Sequence, residues 1–317
     1  MTNSIRITSP AIRLKLTGIC NRSCFFCNEE GDMKGVLSVR PDRELFECLD
    51  ALFRVLNIQK VMLTGGEPTL HPQLLEIVSG IKVPEISITT NGTLLKSSKE
   101  WSNLYGCGLT QTIVSINEVS LECFLATETR KHSLDWATMA LQNQIKNLAN
   151  LHQAGLPTRV NMVAHGEMRN VRQVFDFFKT LRSIYQFETR LLNDLTNINQ
   201  SQEVISSIIA ELKAKPVNSY RKAGSSNVTR YYKAENGFEF STKLSFPYFF
   251  EPICEGCIIR GQEKCFEGFY GPRIELRQDG YYVRMCLYQQ TPSVLIPWKK
   301  FIGSGLADKL RQTFTES

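Results

Sequence analysis

The chain has 317 residues, 42% of them hydrophobic, and 37 Lys and Arg against 31 Asp and Glu, a net charge of +6. This is the composition of a globular protein with one large core and an extension, and it excludes a disordered or fibrous chain. No apolar run approaches the roughly 20 residues that cross a bilayer, no signal-peptide layout opens the sequence, and the modest, dispersed charge argues against a nucleic-acid surface. A cytoplasmic protein with neither membrane nor nucleic-acid partners is expected, and in that reducing compartment its ten cysteines point to metal ligation rather than disulfides.

From residue 12 to about 214, short β-rich runs alternate with helical patterns, the signature of parallel βα units. Strands are predicted over 12–17, 60–63, 85–90, 112–116, 158–163 and 187–192. Between them Leu45, Cys48, Leu49, Leu52, Phe53 and Leu56 recur at helical spacing, as do Val174, Phe177, Phe178 and Leu181. The expected fold is α/β, a partial (β/α)6 barrel whose chemistry gathers at the C-terminal ends of its strands. After Lys213 the periodicity lapses through a polar stretch, 216–236. The chain is therefore divided into a barrel, 1–215, a connecting segment, 216–245, and a C-terminal region with its own cysteines, 246–317.

Directly after the first predicted strand comes Cys20-Asn-Arg-Ser-Cys24-Phe-Phe-Cys27, a Cys-x3-Cys-x2-Cys spacing on a loop. Three thiolates can hold three irons of a [4Fe–4S] cluster and leave the fourth iron open for another ligand. Zinc is the alternative, but it prefers four ligands in Cys-x2-Cys pairs, and no fourth ligand lies nearby in the sequence.

This loop, with the aromatic Phe26 before its last cysteine, resembles the signature of the radical S-adenosylmethionine superfamily. The resemblance implies a radical S-adenosylmethionine enzyme in which the open iron chelates the amino and carboxylate groups of the cofactor and Phe26 packs near the adenine. It also implies a low-potential electron donor such as flavodoxin or ferredoxin. The second predicted strand runs into Thr64-Gly65-Gly66-Glu67-Pro68, where glycines let backbone approach a ligand and a carboxylate can accept from an ammonium group. By resemblance Gly65, Gly66 and Glu67 contact the cofactor's methionyl amino group. Polar triplets end the next strands at Thr90, Ser115 and Asn117, with a ribose role implied for Ser115 or Asn117. Arg159-Val-Asn161 resembles a Lys-x-Asn pair that contacts the cofactor, although arginine changes the reach and geometry of lysine.

Cys254-Glu-Gly-Cys257, Cys265 and Cys286 follow in the C-terminal region. By spacing alone they fit a zinc ribbon or a second iron–sulfur cluster. The end of this region resembles the auxiliary-cluster domain of the molybdenum-cofactor GTP cyclase branch, which implies a second, auxiliary [4Fe–4S] cluster. Cys265 decides its character: four thiolates close it, and three leave an iron open to substrate. Cys48, Cys107 and Cys123 are isolated and read as packing residues.

In that branch arginines on the first strand and after the auxiliary cysteines bind a nucleotide triphosphate. Arg13 and Arg273 match, but Glu275 stands where another arginine is expected, and a carboxylate repels a triphosphate. Arg13, Arg190, Arg273 and Arg277 are the candidate ligands of a phosphate or carboxylate on a small biosynthetic substrate. Peptide modification is the alternative, weakened by the eleven residues that precede the first predicted strand; a non-catalytic iron–sulfur or zinc protein is the third.

Overall fold

The computed structural model describes residues 4–6, 10–27, 35–168, 171–222, 225–246, 249–261, 265 and 271–314. The described strands are β1 (Ser4–Arg6), β2 (Ala11–Lys15), β3 (Lys60–Thr64), β4 (Glu85–Thr90), β5 (Gln111–Ser115), β6 (Thr158–Ala164), β7 (Glu188–Asn193), β8 (Lys215–Lys222), β9 (Val228–Lys233), β10 (Glu239–Leu244), β11 (Arg273–Arg277), β12 (Gly280–Arg284) and β13 (Leu295–Pro297). They form one sheet in the order β1-β8-β9-β10-β7-β6-β5-β4-β3-β2-β11-β12-β13.

The six predicted barrel strands are β2 to β7, and each pairs in parallel with the next. The sheet does not close, because β1 and β13 remain as its two edges. Helices return the chain between the parallel strands, and the helix Arg43–Leu56 shows why they form. Asp42 caps it by accepting from the Leu45 N–H at 3.0 Å, Asn57 ends it in the left-handed region, and Leu45, Cys48, Leu49, Leu52 and Leu56 make one buried stripe. The strands meet that stripe with alternate residues. Ile12, Leu14 and Leu16 join the core shared with the helices, which leaves Arg13 and Lys15 on the opposite, inner face of the sheet. The same alternation puts Arg159 and Asn161 of β6, and Arg273, Glu275 and Arg277 of β11, on that inner face.

The segment 216–245, read as a connection without periodicity, instead carries strands. β8, β9 and β10 form an antiparallel meander whose last strand pairs in parallel with β7. A register shift between Pro216 and Asn218 breaks the period of two, and the Asn, Ser and Lys residues mask strand propensity near a sheet edge. At the other side β11 pairs in parallel with β2, and β12 and β13 extend it. The C-terminal region thus meets the first barrel strand.

Candidate radical S-adenosylmethionine site

The cysteine loop follows β2 and is held by three neighbouring segments. The loop after β3 comes first. Gly66 N–H donates to Thr17 O and Glu67 N–H to Ile19 O, both at 2.8 Å. A Cβ on Gly66 would fall 2.0 Å from Ile19 O, and one on Gly65, at φ +137°, would fall 2.4 Å from Thr17 O. The close approach that these glycines permit is therefore to the chain's own cysteine loop.

Glu67 is buried, and its carboxylate is occupied by the protein's own donors. Oε1 accepts from Thr69 N–H at 3.0 Å, Thr69 Oγ1 at 2.5 Å and Thr90 Oγ1 at 2.7 Å, while Oε2 accepts from Asn91 N–H at 2.7 Å. Burial raises its pKa, and these donors act in the opposite direction. Thr90 also accepts from Gly92 N–H at 3.0 Å. Asn91 continues the lock: its Nδ2 donates to Asn21 Oδ1 at 2.9 Å and approaches Cys20 Sγ at 3.9 Å. Glu67 and Thr90 thus tie the ends of β3 and β4 to the cysteine loop.

The third hold comes from residues 118–130, beyond β5. Arg22 lies between Cys20 and Cys24 and is buried. Its terminal nitrogens donate to Glu118 at 3.0 and 2.9 Å, its Nε donates to Glu128 Oε1 at 2.6 Å, and the guanidinium lies 4.1 Å from the centre of the Phe124 ring. Glu128 Oε2 accepts from Ser23 N–H at 2.7 Å and Ser23 Oγ at 2.8 Å, and Phe25 N–H donates to Thr127 O at 2.9 Å. Arg22, Glu118 and Glu128 went unseen in the sequence, where nothing links positions about a hundred residues apart. A basic residue enclosed by a cysteine motif was the available signal.

Cys20 and Cys24 are partly buried and Cys27 is exposed. Burial pushes the Cys20 thiol up to about 11, with Glu67 and Cys27 acting in the same sense and the Arg22 N–H against them. Burial also raises Cys24. A cation must therefore displace protons when it loads this loop. Three thiols that interact electrostatically, on a loop braced from three sides, fit the three-thiolate ligation of an iron–sulfur cluster. Phe26 is buried and stacks on His165, with ring centres 5.1 Å apart. His165 Nε2 donates to Asn117 O at 3.2 Å, while Nδ1 is buried without a hydrogen-bond partner among the described residues.

Along the inner face, Ser115, Asn161 and Arg190 are direct cross-strand neighbours on β5, β6 and β7. Arg159 Nε donates to Asn161 Oδ1 at 3.1 Å, and burial, helped by neighbouring Arg190, lowers Arg159 to about 10. Asn117 is used differently, since its Oδ1 accepts from Val163 N–H at 2.8 Å and braces β5 against β6.

Arg13, Arg273 and Arg284 form a second row, opposite one another on β2, β11 and β12. Glu275 accepts from Arg277 Nε at 2.7 Å and lies 3.9 Å from Arg284 Nη1. Arg13, Arg273 and Arg277 therefore share one corner of the inner face. Arg190 stands apart from them, with β3 to β6 intervening, and donates to Ser241 Oγ at 3.0 Å. Arg284 was missed as a candidate although its register with Arg273 makes it the third of the row.

Cys254, Cys257, Cys265 and Cys286 line one cavity together with apolar side chains that include Phe250, Ile253 and Met285. Among the described residues, no three His, Cys, Asp or Glu side chains converge closely enough to hold a single metal ion. Cys48 is buried in the helix stripe as expected, and Cys123 borders a different cavity that includes Asn117 and Glu167. No helix of the described residues is long and apolar enough to cross a membrane.

Residues 14–178 match the Radical SAM superfamily, and the chain belongs to it. Its curated relatives include a probable GTP 3',8-cyclase of Pyrococcus abyssi (strain GE5 / Orsay), 31% identical over 154 residues, 48% of this chain and 46% of the relative. Another probable GTP 3',8-cyclase, from Saccharolobus islandicus (strain Y.N.15.51 / Yellowstone #2), is 32% identical over 185 residues, 57% of this chain and 56% of the relative. The chain spans about half the length of the curated relatives it matches. The solved structures that share its fold include two that span nearly the whole chain. Native anSMEcpe with bound AdoMet superposes with a TM-score of 0.57 at 15% identity, over 97% of this chain and 84% of the other. Streptococcus suis SuiB bound to S-adenosylmethionine gives 0.54 at 13% identity, over 96% and 66%.

Proposed function

We propose that this enzyme acts on a small anionic substrate, a nucleotide, sugar phosphate or carboxylate, held at the inner face of the sheet. Cys20, Cys24 and Cys27 hold the [4Fe–4S] cluster that binds S-adenosylmethionine, and the C-terminal cysteines hold an auxiliary [4Fe–4S] cluster. Bound there, the cluster and cofactor supply, after one electron from a low-potential donor such as flavodoxin or ferredoxin, a 5′-deoxyadenosyl radical that takes a hydrogen atom from the substrate. Gly65 and Gly66 fix the loop, Glu67 and Thr90 hold its neighbours in place, and the row of Ser115 and Asn161 faces the cofactor with polar groups. The barrel, the connecting meander and the C-terminal region then act as one enclosure around the substrate.

The substrate class rests on the row Arg13, Arg273 and Arg284 with Arg277 beside it. Guanidinium forks match the oxygens of phosphate and carboxylate, and gathering several of them at one corner favours an anion there. The GTP 3',8-cyclase relatives support a nucleotide, whereas Glu275 within the cluster favours fewer negative charges than a triphosphate carries.

The test is anaerobic incubation of reconstituted enzyme with S-adenosylmethionine, dithionite and deuterated nucleoside phosphates, sugar phosphates and hydroxy acids, each beside its uncharged counterpart. An anionic compound should raise 5′-deoxyadenosine formation and pass deuterium into it. Equal transfer from the uncharged counterpart would overturn the anionic reading.

A further inference from the structure

We propose that Cys265 is the fourth thiolate of the auxiliary cluster, so that this cluster is coordinatively closed and the substrate is held by side chains alone. The proposal rests on the reading of the C-terminal cysteines as ligands of a second iron–sulfur cluster.

The four thiols reach one cavity from three separate stretches of chain. Cys254 ends the short helix Glu251–Cys254, and a turn with Gly256 at φ +69° brings Cys257 N–H to Cys254 O at 3.2 Å. Cys286 follows β12, and Arg284 steadies it by donating from Nε to Cys286 O at 2.8 Å and from Nη2 to Leu287 O. Cys265 borders the same cavity as these three. Gln289 Nε2 donates to Cys257 Sγ at 2.6 Å, the kind of outer hydrogen bond that orients a ligating sulfur.

The arrangement also bears on which metal group fits. Four thiolates on one zinc ion lie about 3.8 Å from one another, as follows from zinc–sulfur bonds of about 2.3 Å in a tetrahedron. In a four-iron cluster each thiolate takes its own iron, so the sulfurs surround a volume. Four thiols that line one cavity from three stretches of chain fit the second case. Four thiolates for four irons leave none open, in contrast to the three cysteines of the first loop. Any anionic group of the substrate must then be met by residues such as Arg13 and Arg273.

The full-length variant Cys20→Ala/Cys24→Ala/Cys27→Ala isolates the second cluster. It is reconstituted anaerobically, its iron and sulfide are counted, and the dithionite-reduced protein is followed by electron paramagnetic resonance with and without cyanide as a probe for an open iron. The expected result is about four irons per chain and a spectrum that cyanide does not alter. Adding Cys265→Ala should lower the iron to about three or fewer, or make the spectrum respond to cyanide, while Cys123→Ala changes neither. Far-UV circular dichroism checks the fold, and Cys265→Ser, closer in size, should also alter the spectrum. A cyanide response already present with Cys265 intact, or full iron and an unresponsive spectrum after Cys265→Ala, overturns the proposal. If the triple variant holds zinc, or no metal, the two-cluster reading beneath it is what has failed.

Discussion

Arg22 donates both terminal guanidinium nitrogens to Glu118, 96 positions further along the chain, at 3.0 and 2.9 Å. Both side chains are almost fully buried, so the pair fixes the cysteine loop from below rather than decorating its surface. Removing one partner of a buried pair leaves an uncompensated charge, at a cost of about 3–5 kcal/mol. Arg22→Ala is therefore expected to lower the thermal midpoint by several degrees and to abolish the change in the electron paramagnetic resonance spectrum that S-adenosylmethionine induces. Arg22→Lys keeps the charge without the fork and should fall between. An alanine variant with an unchanged midpoint and an unchanged cofactor response would show that the pair does not position the loop.

Glu128 gives this clamp a pH dependence of known sign. Burial acts to raise its carboxyl, but the Arg22 guanidinium and the Ser23 donors prevail and hold it below the ordinary carboxylate value. A carboxylate depressed in the folded state stabilises above its unfolded pKa of about 4.3, and that contribution is lost as the pH falls through the folded value. Glu128→Gln should thus be less stable than the parent at pH 7, by about 1.5–3 kcal/mol for a charge-assisted bond, and the gap should close below about pH 4. Denaturant midpoints of the metal-free chains at pH 7 and pH 3.5 measure it, and an equal gap at both values would refute the assignment.

The barrel was legible because a strand with one face against helices writes its burial into alternate residues, as Ile12, Leu14 and Leu16 do around Arg13 and Lys15. The meander of β8 to β10 was not. Its polar strands lie near a sheet edge, a register shift interrupts them, and the aromatic contacts that secure them, such as Tyr232 stacked on Phe240 at 5.3 Å, join residues of different strands. The cysteines announced themselves by type and spacing, whereas the partners that hold them did not. The Arg22 clamp and the place of Arg284 beside Arg273 depend on register between distant segments, which a single sequence does not carry.

Gly65 and Gly66 were legible as a close approach, and only the structure says to what. Because a Cβ on Gly66 would fall 2.0 Å from Ile19 O and 2.8 Å from Cys20 N, both backbone atoms, no flexible side chain can yield. Gly66→Ala should displace the first cysteine, with loss of iron from the loop and at least tenfold less 5′-deoxyadenosine. Gly106 ends the helix Ser98–Gly106, and nothing lies within 4 Å of its added Cβ. Gly106→Ala should leave activity intact and shift stability by no more than about 1 kcal/mol. Comparable losses in both variants would mean that general instability, and not the loop contact, is being measured.

Arg273 offers a direct test of the anionic corner. It is fully buried and stands opposite Arg13 on one side and Arg284 on the other. Like charges facing one another across strands repel, so an anion between them relieves repulsion as well as forming bonds. Added inorganic phosphate should raise the thermal midpoint of the parent, since a ligand at a hundred times its dissociation constant stabilises by about 2.7 kcal/mol. Arg273→Met removes one fork and should weaken that response about 10- to 100-fold in phosphate concentration, as the loss of a charge-assisted bond of about 1.5–3 kcal/mol requires. Arg43→Met serves as the control, because Arg43 is exposed and pairs with Glu47 four residues on. A phosphate response that survives in Arg273→Met, or that falls equally in Arg43→Met, would locate the anion elsewhere on this basic chain.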